Sequence, residues 1–220
     1  MHGPVSDGRE ILREQKLMQP SWTIGLDLGQ AHDYTALSVM RGTRSAPAEK
    51  PTYEVGHLER FPLGCPYPRM VEAVMEMTRR PELADGYDLV VDATGVGRPV
   101  VDLLRDALGS ERRRLHPVTI TGGGSAGAGV FGATVPKRDL VMALKVLLES
   151  ERLRFAAGLP DTAVLIRETL AFRVKITASA NDTYGAWREG EHDDLVLSVA
   201  LAAWYAERMA RRGVARSRVG

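Results

Sequence analysis

Cysteine is almost missing from this chain: Cys65 is the only one in 220 residues. An intramolecular disulfide and a multi-cysteine zinc cage are therefore excluded, and a reducing compartment suits the composition. Long apolar runs are missing as well. None approaches the ~18–20 residues that a bilayer span requires, so no membrane partner is expected. The opening "MHGPVSDGRE" has no apolar signal core, which argues against secretion. Net charge is nearly absent, at +1 from 29 basic and 28 acidic residues, so the molecule as a whole offers no electrostatic pull toward nucleic acid. Basic residues do cluster locally, in "ERRRLH" at 111–116 and "ERMARRGVARSRVG" at 207–220. These read as solvated surface, or as Arg112, Arg113, Arg114 and the terminal arginines tracking a phosphate backbone. Nowhere is there a G-x-x-x-x-G-K-[ST] phosphate loop.

What is present is an ordinary globular composition, 44% apolar and 26% charged, long enough to bury one sizeable core. Residues 1–20 are polar and end at Pro20, reading as a leader or linker, with a domain over 21–212 and a basic tail at 213–220. "WTIGLDL" (22–28) alternates as a strand should. "YTALSVM" (34–40) and "TYEVGHLERF" (52–61) follow it closely and predict an antiparallel meander. A helix is expected over about 69–79. "YDLVVDA" (87–93) has the apolar density of a buried central strand. With a helix over about 98–108 and the strand "LHPVTI" (115–120), it forms a parallel crossover unit.

The glycine-rich stretch 121–137 reads as a loop too flexible to pack. Helices are expected from Pro136 to about 150 and from about 160 to 171, and "RLRF" (152–155) between them reads as extended. Residues 173–179 and 183–189 look like the two arms of a hairpin, and a last helix runs from Asp193 to about Arg211.

Four carboxylates stand out. Asp27 interrupts an apolar strand, on a face with Gly25 and Gly29 that leaves open space beside it. Asp92 ends the central strand, and the carboxyl ends of parallel strands are where sites form. Asp193 and Asp194 open an apolar helix. Each has a plain reading: a strand acid in a turn network, the start of the "ATG" turn, an ordinary N-cap. If the first and fourth strands are neighbours and the last helix packs on the sheet, the four converge. Converging carboxylates cannot all stay ionised without a cation. Mg²⁺ or Mn²⁺ fits such an oxygen-only set, and two such ions can drive phosphodiester cleavage.

The segments "WTIGLDLGQAHDYTALSV", "LVVDATGVGRPVVDLL", "VPKRDLVMALKVLLESERLRF" and "REGEHDDLVLSVALAAW" resemble, in order and spacing, the motifs of the nuclease domain of phage terminase large subunits. The resemblance covers about residues 21–206. It implies an α/β, RNase H-like fold with a central mixed sheet of five or more strands flanked by helices. It also implies a two-metal endonuclease that cuts double-stranded viral DNA during genome packaging. By motif position, Asp27, Asp92, Asp193 and Asp194 take the metal-ligand and catalytic places. Asp194 is favoured as the direct ligand of the third position, and Asp193 as an outer or second-metal ligand. Asp92 is shorter than the Glu many members carry there. Lys137, in the matching "VPK", is a candidate contact to the scissile phosphate or a DNA strand. His192 and Asp33 are candidates for orienting a ligand or water. The glycine-rich loop is a candidate DNA contact, and recognition is expected to be independent of sequence.

A full terminase subunit carries an ATPase domain, so this chain is expected to be a cut-out domain or a nuclease encoded alone. Implied partners are double-stranded DNA, the ATPase domain, the small terminase subunit and the portal, in the cytoplasm of an infected bacterial host. Rival readings are another RNase H-like enzyme such as a junction resolvase or RNA-strand hydrolase, an actin-like or sugar-kinase ATPase fragment suggested by "GLDLG", and a structural module without activity.

Overall fold

In the computed structural model the described residues are 15, 18–29, 33–46, 49–95, 97–129, 132–171 and 192–218; side chains are described except at 170, 171 and 213–218. The expected hairpin at 173–189 lies outside them, as does most of the expected leader.

The chain forms β1 (Ser21–Asp27), β2 (Ala36–Thr43), β3 (Thr52–Arg60), α1 (Tyr67–Thr78), β4 (Asp88–Asp92), α2 (Gly97–Leu108), β5 (Leu115–Thr121), β6 (Gly127–Gly129), β7 (Gly132–Pro136), α3 (Lys137–Glu149), β8 (Leu153–Phe155), α4 (Thr162–Ala171) and α5 (Asp194–Arg218). The strands make one eight-stranded mixed sheet in the order β6-β7-β5-β4-β1-β2-β3-β8. The meander β1-β2-β3 is antiparallel, and β4 and β5 run parallel to each other and to β1.

Strand alternation sorts the core into two layers. Ile24, Leu26, Leu89 and Val91 face α1 and α2, meeting Val74, Met77, Val100 and Leu104. Val90, Val118 and Val135 face the opposite way, toward α3, α4 and α5. Helix α5 is apolar nearly all round its first four turns because it crosses the middle of the sheet: Leu195, Val196, Val199, Ala200, Leu201, Ala202 and Ala203 are all buried. Its alanines allow a close approach, and Gly25 on β1 completes it. A Cβ at Gly25 would stand 1.9 Å from the carbonyl oxygen of Ser198 in α5. The face beside Asp27 is thus filled by helix backbone, which corrects the expectation of open space at Gly25. Gly29 is filled likewise, by the backbone of Asp33 and Tyr34.

Two other expectations change. The glycine-rich stretch is partly sheet, since β7 pairs in parallel with β5 and β6 pairs with β7. Glycine is what allows this. A Cβ at Gly132 would lie 2.0 Å from the carbonyl oxygen of Pro117, so only a bare backbone fits beside β5. Helix α5 also continues to Arg218, through the segment read as a tail. Its alanine and arginine residues favour helix enough to outweigh the ~1 kcal/mol cost of Gly213.

Candidate active site

Asp27 and Asp92 are the last residues of β1 and β4. Those strands are parallel neighbours, with Leu26 opposite Val91, so the two acids come next in the same register. Both have the strand parity that faces α5. The head of α5 brings Asp193 and Asp194 to the same sheet end. Asp27 is 6% exposed, and its carboxyl is held well above the ordinary range, first by burial and then by Asp92, Asp193 and Asp194; Lys137 opposes the shift. Four acids predicted from three separate segments therefore act on one another in space.

Each of the other three has a partner. Asp92 Oδ1 accepts hydrogen bonds from the Thr94 amide (2.8 Å) and hydroxyl (2.5 Å), and the Ile120 amide donates in turn to that hydroxyl. Burial raises the Asp92 carboxyl; the Thr94 bonds and Lys137 pull against it. Lys137, at the start of α3, reaches Asp193 with 2.6 Å between Nζ and Oδ2. Asp194 is 4% exposed and points instead toward Arg60 at the end of β3, 3.3 Å from Nη2. Burial raises its carboxyl and Arg60 counters this. The His192 and Tyr34 rings meet edge to face, with centroids 4.8 Å apart, and the Arg60 guanidinium lies over the Tyr34 ring, 4.6 Å from its centroid.

Asp33 is exposed and lines a surface cavity with Gly29, Thr35 and Tyr67. Arg114 is tied to Glu111 and to the Tyr87 carbonyl at the far end of β4, away from the four acids.

Three residues at the site escape a sequence reading. Thr94 had a signal, since Asp followed two positions later by Thr is a familiar turn pairing. Arg60 and Glu168 had none. Glu168 contacts Arg60, and its Oε2 accepts from the Val196 amide of α5 at 3.1 Å, yet it sits on α4 as one charge in an amphipathic helix.

The donor set is made of carboxylate oxygens, which suits a hard divalent cation. Among the described residues, no group of three His, Cys, Asp or Glu side chains could hold an ion as they stand. Lys137 and Arg60 lie on two of the acids. Fit to a cation rests on the remaining imbalance: Asp27 is buried amid like charges.

A central mixed sheet with acids at adjoining strand ends and at the head of a crossing helix is the architecture of an RNase H-like nuclease. The sequence profile of the terminase RNaseH-like domain matches residues 24–204. The chain belongs to that family. Among curated proteins no sequence matches it. Among solved structures, the large terminase nuclease from thermophilic phage G20c is similar at TM-score 0.54 and 24% identity, over 84% of this chain and 81% of that one. The human cytomegalovirus terminase nuclease domain, soaked with Mn, is similar at TM-score 0.52 and 13% identity, over 86% and 85%. These two likenesses establish the fold, and it is the one expected.

Proposed function

We propose that this domain is a divalent-metal-dependent endonuclease that hydrolyses double-stranded viral DNA during genome packaging. The observation that carries the reading is the convergence on Asp27, which is buried at a strand end and pressed by three further acids from β4 and α5. Such an arrangement is unfavourable by itself and becomes favourable around positive charge. Asp27, Asp92 and the Asp193/Asp194 pair would hold Mg²⁺ or Mn²⁺, and the Mn-soaked viral relative points to the same class of ion. When bound, a metal pair activates water and stabilises the leaving oxygen.

The chain's own residues do the rest. Asp27 would be the central ligand residue, because the other acids all act on it. Thr94 fixes the orientation of Asp92 through two hydrogen bonds to one oxygen. Asp193 faces Lys137, which also acts on Asp27 and Asp92, whereas Asp194, the residue favoured by motif position, faces Arg60; this supports Asp193 as the ligand nearer to Asp27 and Asp92. Lys137 places positive charge where the α3 start meets the acids, suited to a scissile phosphate. The polypeptide would work with an ATPase domain, a small terminase subunit and a portal, inside an infected bacterial cell.

The test is plasmid nicking across a Mg²⁺ and Mn²⁺ series. Wild type should nick supercoiled duplex DNA only with metal, and Asp27→Asn should reduce the rate by at least ~10³-fold with its circular dichroism unchanged. Full cutting by Asp27→Asn, or metal-independent cutting by wild type, would refute the reading.

A further inference from the structure

We propose that Glu168 is a positioning residue that caps α5 from another helix and so releases Asp193 and Asp194 to the site. The inference rests on the metal-dependent reading above and names a residue that reading does not use.

The first turn of any α-helix has amide groups without intrahelical partners. The common remedy is local: an Asp at the N-cap turns its side chain back onto the amides two or three residues on. Asp193 holds the N-cap place, since its carbonyl accepts the Leu197 amide at 2.9 Å. Its carboxylate does not cap. It goes to Lys137, 2.6 Å away. The Val196 amide, which an N-cap side chain would ordinarily take, donates to Glu168 on α4 at 3.1 Å, in a fully buried bond between residues 28 apart.

Glu168 has a second contact. Its Oε1 meets Arg60 Nη2, and that same nitrogen lies 3.3 Å from Asp194 Oδ2. One arginine thus stands between two buried acids, whose side chains are 5% and 6% exposed. Asp194 Oδ2 lies 3.3 Å from Arg60 Nη2, longer than a tight charge-assisted bond. Glu168 supports this in two ways. It meets the positive end of the α5 dipole, where a carboxylate is favoured. It also shares Arg60, which keeps that cation from settling wholly on Asp194. Take Glu168 away and two things follow: the Val196 amide needs an acceptor, with the Asp193 carboxylate the nearest by helix geometry, and Arg60 is left to Asp194 alone. Both changes draw an acid from the cluster.

The test is Mn²⁺ binding by calorimetry on the full chain without DNA, together with thermal melting. Glu168→Leu removes cap and charge. Glu168→Gln keeps volume and an acceptor for Val196 and removes only the charge facing Arg60, so it remains informative if the leucine variant fails to fold. Leu165→Ala, a buried apolar position one turn earlier on α4, is the control for plain destabilisation. Expected is a 10- to 100-fold weaker Mn²⁺ Kd for Glu168→Leu and about 10-fold for Glu168→Gln, with Leu165→Ala lowering the Tm but not the affinity. Unchanged affinity in Glu168→Gln, or equal affinity losses in Leu165→Ala and Glu168→Leu, would overturn the proposal. Wild type that binds no Mn²⁺ would overturn the metal reading itself, and that arm is read separately.

Discussion

Lys137 and Asp193 are 56 residues apart in sequence and 2.6 Å apart in space. Their pair ties the β7–α3 corner to the head of α5. Both side chains are largely buried, at 19% and 16% exposure, so the contact is worth more than a surface pair and less than one fully sequestered. It also sets a cation among carboxylates that repel one another.

Replacing that cation should therefore weaken the metal-free protein. Lys137→Met is expected to lose about 1–3 kcal/mol in chelator, measured by urea unfolding. Saturating Mn²⁺ should restore most of the loss, because the ion supplies the missing charge. A loss that Mn²⁺ leaves untouched would mean that Lys137 acts through packing alone.

Asp27→Asn carries the opposite sign. Burial and three neighbouring acids raise the Asp27 carboxyl well above its unfolded value. Such a group favours folding below its unfolded pKa, and that contribution is lost as pH rises through the folded one. At neutral pH, well above its unfolded pKa, the raised group is a burden in the metal-free state. The amide should raise the Tm in chelator, by about 2–4 °C for each kcal/mol relieved. The gap should narrow as the pH is lowered and Asp27 itself protonates. A lower Tm for Asp27→Asn at neutral pH would show that the cluster is not repulsive.

The strands that hold the acids were legible because a buried strand or helix writes itself as apolar density, and an acid inside that density stands out. Asp27, Asp92, Asp193 and Asp194 were visible for that reason, and the family motifs pointed the same way. What joins them was less legible. Capping normally leaves a mark at a spacing of two or three residues, but Glu168 serves α5 from 28 residues before Val196. Gly132 looked like a loop residue because its reason for being glycine is the carbonyl of Pro117 on another strand. Gly25 looked like space for the same cause: its occupant, the Ser198 carbonyl, comes from the other end of the chain.

That contact gives a steric prediction. Gly25→Ala would set a Cβ against helix backbone, which cannot rotate away as a side chain can. Overpacking of this kind costs typically 1–3 kcal/mol and more when the obstacle is rigid, so a loss of about 3 kcal/mol or more is expected in urea unfolding. Helix α5 must lift from β1, and Asp193 and Asp194 move with it. Nicking should fall even in whatever fraction remains folded. A variant as stable and active as wild type would mean that α5 does not sit on β1 at Gly25.

The opposite part of α5 is fastened by Glu207, and there the prediction is one of pH. Glu207 accepts from Arg152 at 2.8 and 3.2 Å and from the Tyr53 hydroxyl at 2.9 Å, tying the helix to β3 and to the turn before β8. Burial pushes the Glu207 carboxyl up, but the bonds from Arg152 and Tyr53 outweigh it and hold it below its ordinary value. Tyr53 is pushed upward by burial and by Glu207, so it stays a donor. A depressed acid stabilises the fold above its unfolded pKa of about 4.3, and the contribution disappears as pH falls through the lower folded value. Glu207→Gln should thus cost about 3 kcal/mol at pH ~7, since it leaves a largely buried arginine without its carboxylate. The difference from wild type should shrink steadily below about pH 4. Urea unfolding of both proteins across that range reads it directly, and a difference that does not change with pH would remove charge from the account of how α5 is held.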